Sequence, residues 1–156
     1  MSCIRRICFL WVIVLLTSCE NLIMYHSYQH IAKEGWNKGD TITLTVAVRD
    51  SLAYEYDLQL LARNRFDYKY QQLTVAVSQL LNDTISLRTD TVVFNITDKN
   101  GNWLGKGIGG LYEYVEELNT LTLTSSDTLS LKIVPLTNDS ILQGINDMGV
   151  IAGRKD

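Results

Sequence analysis

An antiparallel all-β fold is what this sequence predicts, a β-sandwich of immunoglobulin-like or jelly-roll-like type. Two observations carry that expectation. Short segments alternate apolar and polar residues with period two, as half-buried strands do. Polar turns separate those segments at close intervals, the pattern of sandwiches and barrels. A third observation bears on where the fold works: an apolar run near the N-terminus closes on Leu16-Thr17-Ser18-Cys19.

Residues 20–35 read as a tether and a first turn, with Gly35 breaking any helix begun near Tyr28. Alternation then begins. Ile42, Leu44, Val46 and Val48 share one face; Thr41, Thr43, Thr45 and Arg49 share the other. Tyr56, Leu58, Leu60 and Ala62 repeat the pattern before the polar loop Arg63-Asn64-Arg65. Leu73, Val75 and Val77 give a third strand, and Asn82-Asp83 turns the chain. Thr84 to Leu87 predict a short fourth strand, and Val92, Phe94 and Ile96 a fifth. Leu121 and Leu123, then Leu129, Leu131 and Ile133, continue the set, and Met148 to Ala152 closes it. Leu111, Tyr114, Val115 and Leu118 also fit helical spacing, so that segment is open to either assignment.

The N-terminal segment has the parts of an export signal. Arg5 and Arg6 form a positive start, and Cys8 to Leu16 is an apolar run too short to span a bilayer. Leu16-Thr17-Ser18-Cys19 has the form of a bacterial lipobox: an aliphatic residue, two small residues, then the cysteine whose thiol takes the lipid. The expected organisation is a signal peptide over 1–18, a lipidated tether over 19–35 and a sandwich over 36–156. Each buried CH2 of an acyl chain contributes about 0.8 kcal/mol, so two or more palmitate-like chains on Cys19 hold the domain at a membrane. The expected location is the cell envelope, on the outer membrane and facing the periplasm.

Composition narrows the classes further. Loss of Arg5 and Arg6 with the signal takes the net charge from −3 to −5, which disfavours nucleic acid as a partner. The three cysteines are Cys3, Cys8 and Cys19. The first two leave with the signal and the third is acylated, so the folded domain carries neither a disulfide nor a free thiol. Its stability must come from a core, which 46% hydrophobic residues can supply. The only proline is Pro135, so there is no proline-rich stalk.

Asp-Thr/Ser-aliphatic occurs six times, with hydroxyls at Thr41, Ser51, Thr84, Thr91, Thr128 and Ser140. Turn chemistry explains such tripeptides: Asp closes the turn and an apolar residue enters the strand. The pattern also resembles the O-glycosylation acceptor of envelope proteins in bacteria of the Bacteroides group, which makes these six positions candidate sites.

Asp98 to Gly110 is the most unusual stretch. Gly105, Gly107 and Gly110 match a dinucleotide-binding spacing, but no βαβ unit surrounds them. Asp98, Asn100 and Asn102 mimic the start of a calcium loop, but Trp103 and Gly109 stand where glycine and glutamate are required. Two readings are left. Trp103 plugs one end of the sandwich while the glycines fold the chain over it, or it sits exposed on an adaptable loop that binds a partner or a sugar.

Here the chain resembles a known family. Asn100-Gly101-Asn102-Trp103-Leu104-Gly105-Lys106-Gly107 is similar to the N-G-x-W-L-G-K-G signature of the gliding-motility lipoprotein GldH family. Trp36 ahead of the first strand, Arg63-Asn64 with Tyr68-Lys69-Tyr70 and Leu73, and Gly144-Ile145-Asn146-Asp147-Met148-Gly149 agree in order. Lys69, Gln72 and Met148 depart from the family pattern, where Pro, Asn and Val are expected. The resemblance implies an envelope lipoprotein linked to surface motility and protein secretion, and it brings no catalytic residues or cofactor with it. It implies the membrane and other envelope proteins as partners, and no nucleotide. Trp103, Gly105, Lys106, Gly107 and Trp36 are the candidate partner or ligand residues.

No enzyme is expected. His26 and His30 stand four apart in the predicted tether without a metalloprotease motif or a third ligand. The strand region holds no histidine for Ser-His-Asp chemistry. Glu116 and Glu117 are consecutive and point apart if extended. The expected function is structural or assembly work in an envelope machine. The alternative is a glycan- or peptide-binding module that uses Trp36, Trp103 and Tyr112 as stacking surfaces.

Overall fold

The computed structural model describes residues 24–155, and the signal peptide, lipobox and Cys19 lie outside them. Eleven strands form two facing antiparallel sheets and a small ribbon. They are β1 Met24–His30, β2 Trp36–Asn37, β3 Ile42–Ala47, β4 Tyr54–Asn64, β5 Gln72–Leu81 and β6 Ile85–Asn95. After these come β7 Lys106–Ile108, β8 Leu111–Leu123, β9 Thr128–Pro135, β10 Ile141–Leu142 and β11 Ile145–Arg154. One sheet has the order β1-β11-β4-β8-β7, the other β3-β9-β5-β6, and β2 pairs with β10.

Set β7 and the β2–β10 ribbon aside, and eight main strands remain. In chain order, the first, eighth, third and sixth make one sheet; the second, seventh, fourth and fifth make the other. That is the jelly-roll order, two interlocked Greek keys, and it decides between the two sandwich types that the alternation allowed.

The alternation builds the core. Tyr56, Leu58, Leu60 and Ala62 of β4 and Met148, Val150 and Ala152 of β11 point inward from one sheet. Leu44 and Val46 of β3, Leu73, Val75 and Val77 of β5 and Leu129, Leu131 and Ile133 of β9 meet them from the other. Each fully buried aliphatic side chain contributes about 1.5–3 kcal/mol, and no disulfide is needed. A side-chain pair also bonds across this core: the Gln79 amide donates to Asn119 Oδ1 at 2.7 Å, joining β5 to β8.

Two sequence expectations change, and one open assignment is settled. Met24–His30 was expected in a tether but forms strand β1, antiparallel to β11 from Met24↔Gly153 to His30↔Asp147. The predicted fourth and fifth strands are one strand, β6, with a bulge opposite Gln79/Leu80. The bulge shifts the side-chain parity, so Leu87 and Val92 do not read as one alternating run. The segment from Leu111 to Leu118 is strand, not helix. Val115 is an apolar residue exposed on the outer face beside inward-facing Tyr114, and that pair imitates helical spacing; a bulge opposite Asp57/Gln59 then shifts the parity of the rest of the strand. Asn82-Asp83 is a tight turn with φ of 52° and 58° at the two residues, which suits a two-residue hairpin.

The strands run between two poles. The near pole holds Met24, the 48–53 loop, the Asn82-Asp83 turn, the 124–127 loop and Lys155. The far pole holds the β2–β10 ribbon, the 65–71 loop, the loop from Thr97 to Gly105 and Gly144.

Candidate functional site

The three sequence blocks that carry the resemblance converge on the far pole. The Trp103 block acts there as a clasp between the sheets. Thr97 and Trp103 form an isolated antiparallel bridge, and the Leu104 amide donates to the Ile96 carbonyl at 3.0 Å. The Trp103 ring stacks on Tyr112 with centroids 4.8 Å apart and planes at 17°. The Tyr114 hydroxyl, buried, donates to the same Ile96 carbonyl at 2.9 Å. Gly105 lets these groups close up: a Cβ there would stand 2.5 Å from the Tyr114 ring and 2.8 Å from the Glu113 carbonyl.

The loop ahead of Trp103 is closed by its own carboxylate. Asp98 Oδ1 accepts from the amides of Asn100 at 2.8 Å and Asn102 at 2.9 Å. Asp98 Oδ2 accepts from the Asn102 side chain at 2.9 Å, and Gly101 takes φ +84°. The hydrogen bonds from Asn102, then Asn100 and Gly101, hold the Asp98 carboxyl below its ordinary range. The Asp98 carboxylate, the first oxygen pair of the calcium-loop imitation, is therefore taken up by N–H groups of the loop itself.

The closing block is built the same way. Gly144 has φ +87°, and its Cβ position lies 2.5 Å from the Tyr68 Cα, so only glycine fits. Its carbonyl accepts from the Arg65 amide at 2.8 Å. On the outer face, one residue from each strand of the larger sheet forms a charged row: His30, Asp147, Arg63, Glu113 and Lys106. His30 Nδ1 lies 3.0 Å from Asp147, and Arg63 reaches Glu113 at 2.6 Å. The Arg63 guanidinium also sits 4.6 Å above the Tyr28 ring, which lies over Gly149. Cation–π and cross-strand charge pairs of this kind each contribute about 0.5–1 kcal/mol.

Trp36 is 2% exposed, and its indole N–H donates to the Asp40 carbonyl at 3.1 Å. It is a core residue and offers no stacking surface. Trp103 is half-buried with Tyr112 against one face, so that pair is already each other's partner. Lys106 is exposed on β7. Gly107 has only Tyr112 near its Cβ position, at 4.0 Å. His26 and His30 lie on strand β1 rather than on a tether, and His30 is engaged with Asp147. Among the described residues, no three His, Cys, Asp or Glu side chains gather in a way that would hold a metal ion.

Five of the six Asp-Thr/Ser sites lie in turns, at a strand start or just before one. Asp90-Thr91 instead lies within β6, with Asp90 paired to Arg88 at 2.5 Å. Thr41, Ser51, Thr84, Thr91 and Ser140 are exposed and Thr128 is half-buried. Several of the aspartates have structural tasks. Asp50 accepts from the hydroxyls of Tyr25 and Tyr56, and Asp83 from Ser130. Burial and the bond to Asp50 push the Tyr56 phenol well above its ordinary range. Asp127 Oδ2 accepts from the Thr124 amide and hydroxyl, both at 2.9 Å.

One feature of the far pole is not apparent from residue patterns alone. An open groove of about 730 Å³ runs past Tyr68, Tyr70, Gln72, Asn95, Leu136 and Asp139. The Tyr70 hydroxyl donates to Asp139, and the Tyr68 and Tyr70 rings meet edge to face at 5.8 Å. Leu136 lines it and is exposed, and Phe66, Leu104, Ile108 and Ile141 are exposed on the loops and strand ends of the same pole. The aromatic run from Phe66 to Tyr70, set between two strands, was the available signal in the sequence.

Fold and site together define a disulfide-free jelly-roll domain whose motif residues hold one pole in shape and leave apolar side chains exposed around it. Residues 23–151 match the family described as GldH lipoprotein, and the chain belongs to that family. It is therefore a gliding-motility-associated lipoprotein of the cell envelope. A curated relative, the gliding motility lipoprotein GldH homolog of Christiangramia forsetii, is 26% identical over 95% of this chain and 94% of its own length. Among solved structures, the VP2 subviral particle of infectious bursal disease virus aligns with 15% identity and a TM-score of 0.42. That alignment covers 88% of this chain and 33% of the viral one. Dimeric latent PorU from Porphyromonas gingivalis aligns with 16% identity and a TM-score of 0.33, over 90% of this chain and 14% of its own.

Proposed function

We propose that this chain is a non-enzymatic assembly component of an envelope machine for gliding or the associated secretion. It is exported by residues 1–18, anchored through lipid on Cys19, and held on the periplasmic side of the outer membrane. The observation that carries this reading is the character of the far pole. Phe66, Leu104, Ile108, Leu136 and Ile141 are exposed on a scaffold braced by Gly105, Tyr114 and Gly144. Exposed apolar side chains on a rigid frame are what a protein partner buries. Purification from cells in mild detergent with an affinity tag tests it. An envelope protein recovered at near-stoichiometric level, and lost from a Phe66→Asp, Leu104→Asp variant, is the expected result. Recovery of the tagged chain alone would overturn the reading.

A second reading has one observation in its favour. The groove presents the Tyr70 ring among the side chains of Gln72, Asn95, Asn138 and Asp139, a combination that suits a neutral sugar or a peptide. It replaces the buried Trp36 and the self-stacked Trp103–Tyr112 pair as the stacking surface. A glycan array that stays blank for the native protein rejects the sugar form of this reading.

A further inference from the structure

We infer that the domain stands upright on the membrane that holds its anchor, with the near pole against the lipid and the far pole turned away. This rests on acylation of Cys19. Strand β1 begins at Met24, so five residue steps separate the acylated cysteine from the folded body. Fully extended, they reach about 18 Å. Strand β4 has 11 residues and spans the sandwich, which is therefore about 35 Å tall. The anchor thus joins at the near pole, and its reach is about half the height of the body.

That leash alone would permit the domain to lie on its side, and the faces oppose it. The outer face of one sheet carries the row His30, Asp147, Arg63, Glu113 and Lys106. The other carries the register row Thr43, Lys132, Ser78 and Thr89. Laying either on lipid would strip water from charged and hydroxyl groups at a cost of several kcal/mol. The near pole offers the better surface. Leu52 is 66% exposed at the tip of the 48–53 loop, and Met24 and Ile85 are exposed beside the strand ends. Arg49 and Lys155 are exposed there with Glu55 and Asp83, so the charges roughly balance. Contact is therefore apolar insertion guided by the anchor, and it does not need acidic lipid.

The consequence is a division of labour. Lipid takes Leu52 and its neighbours, and the clasp, the groove and the exposed Phe66 and Leu104 face outward, where an envelope partner meets them.

The mature chain has no cysteine except Cys19, which makes the test direct. Leu52→Cys, Ser51→Cys and Asn100→Cys are each made in the full acylated chain, labelled with an environment-sensitive fluorophore and reconstituted in phosphatidylcholine vesicles. Aqueous iodide quenching is measured against the same labelled sites in Cys19→Ala protein free in solution. The expected result is a several-fold fall in quenching at 51 or 52, unchanged in high salt, with no change at 100. Equal shielding at both poles, or open quenching at 51 and 52, in chains that float with the vesicles and carry acyl mass overturns the orientation alone. Chains without acyl mass that fail to float overturn the anchor reading, and this one falls with it.

Discussion

Gly105→Ala is the sharpest probe of the clasp. The new methyl would stand 2.5 Å from the Tyr114 ring and 2.8 Å from the Glu113 carbonyl. The carbonyl is backbone in a paired strand and cannot retreat freely. The ring is buried and tied to Ile96 through its hydroxyl, so moving it breaks that bond. Overpacking of a well-packed site costs about 1–3 kcal/mol. The Ile96 carbonyl keeps the Leu104 amide, but the buried Tyr114 hydroxyl left without its acceptor costs about 1–3 kcal/mol more. A loss of roughly 3 kcal/mol follows from the two together, and at about 4 °C per kcal/mol for a domain of this size the Tm falls by roughly 10 °C. Gly107→Ala is the control. Its nearest neighbour is Tyr112 at 4.0 Å, and its effect stays within about 0.5 kcal/mol. Urea and thermal unfolding of the domain, followed by tryptophan fluorescence and circular dichroism, reads both. If Gly105→Ala melts with the parent, or Gly107→Ala falls as far, the clasp is not what the glycine serves.

Other outcomes follow from the same geometry. Gly144→Ala meets the Tyr68 backbone at 2.5 Å with φ +87°, whereas Gly149→Ala meets the half-exposed Tyr28 ring, which can swing aside. The first therefore loses about 3 kcal/mol or more and the second under about 1 in the same unfolding experiment. The amide and hydroxyl of Thr124 and the Asn82 side chain lower the Asp127 carboxyl. Its contribution is present above the unfolded carboxylate range and lost as pH falls through the lower folded value. Asp127→Asn should therefore flatten the decline of stability between roughly pH 5 and 3; an unchanged slope in urea melts across that range would count against it. Intact mass of the protein purified from its own cells reports on Thr41, Ser51, Thr84, Thr91, Thr128 and Ser140. Hexose-sized increments beyond lipid are expected if these hydroxyls carry glycans, and a mass of polypeptide plus lipid alone excludes them.

The strands with one wet and one dry face were plain in the sequence. Ile42-Thr-Leu-Thr-Val and Leu73-Thr-Val-Ala-Val alternate because one side meets the core and the other water. Strand β1 was not, because an edge strand exposed along most of its length needs no apolar stripe; its Tyr25, Ser27 and His26 read as linker. Bulges concealed the rest. In β6 and β8 an inserted residue moves the apolar positions from one parity to the other, so a period-two reading breaks where the strand does not. The Trp103-Leu104-Gly105 motif was visible as a motif, but its task was not. That Gly105 makes room for Tyr114, nine residues on, depends on β7 and β8 folding back on each other. Trp36 shows the opposite limit: an aromatic at a domain edge reads equally well as a platform or a plug, and only its burial decides. The groove between Tyr70 and Asp139 is assembled from segments about seventy residues apart and has no local signature.

The anchor is the claim on which location, orientation and partner access all depend. Fractionation of cells expressing the native chain and Cys19→Ala, washed with high salt and carbonate, measures it most directly. The native chain stays with membranes and the variant moves to the soluble fraction while keeping its folded tryptophan spectrum. A Cys19→Ala chain that remains with the membrane pellet as firmly as the native one would contradict the account.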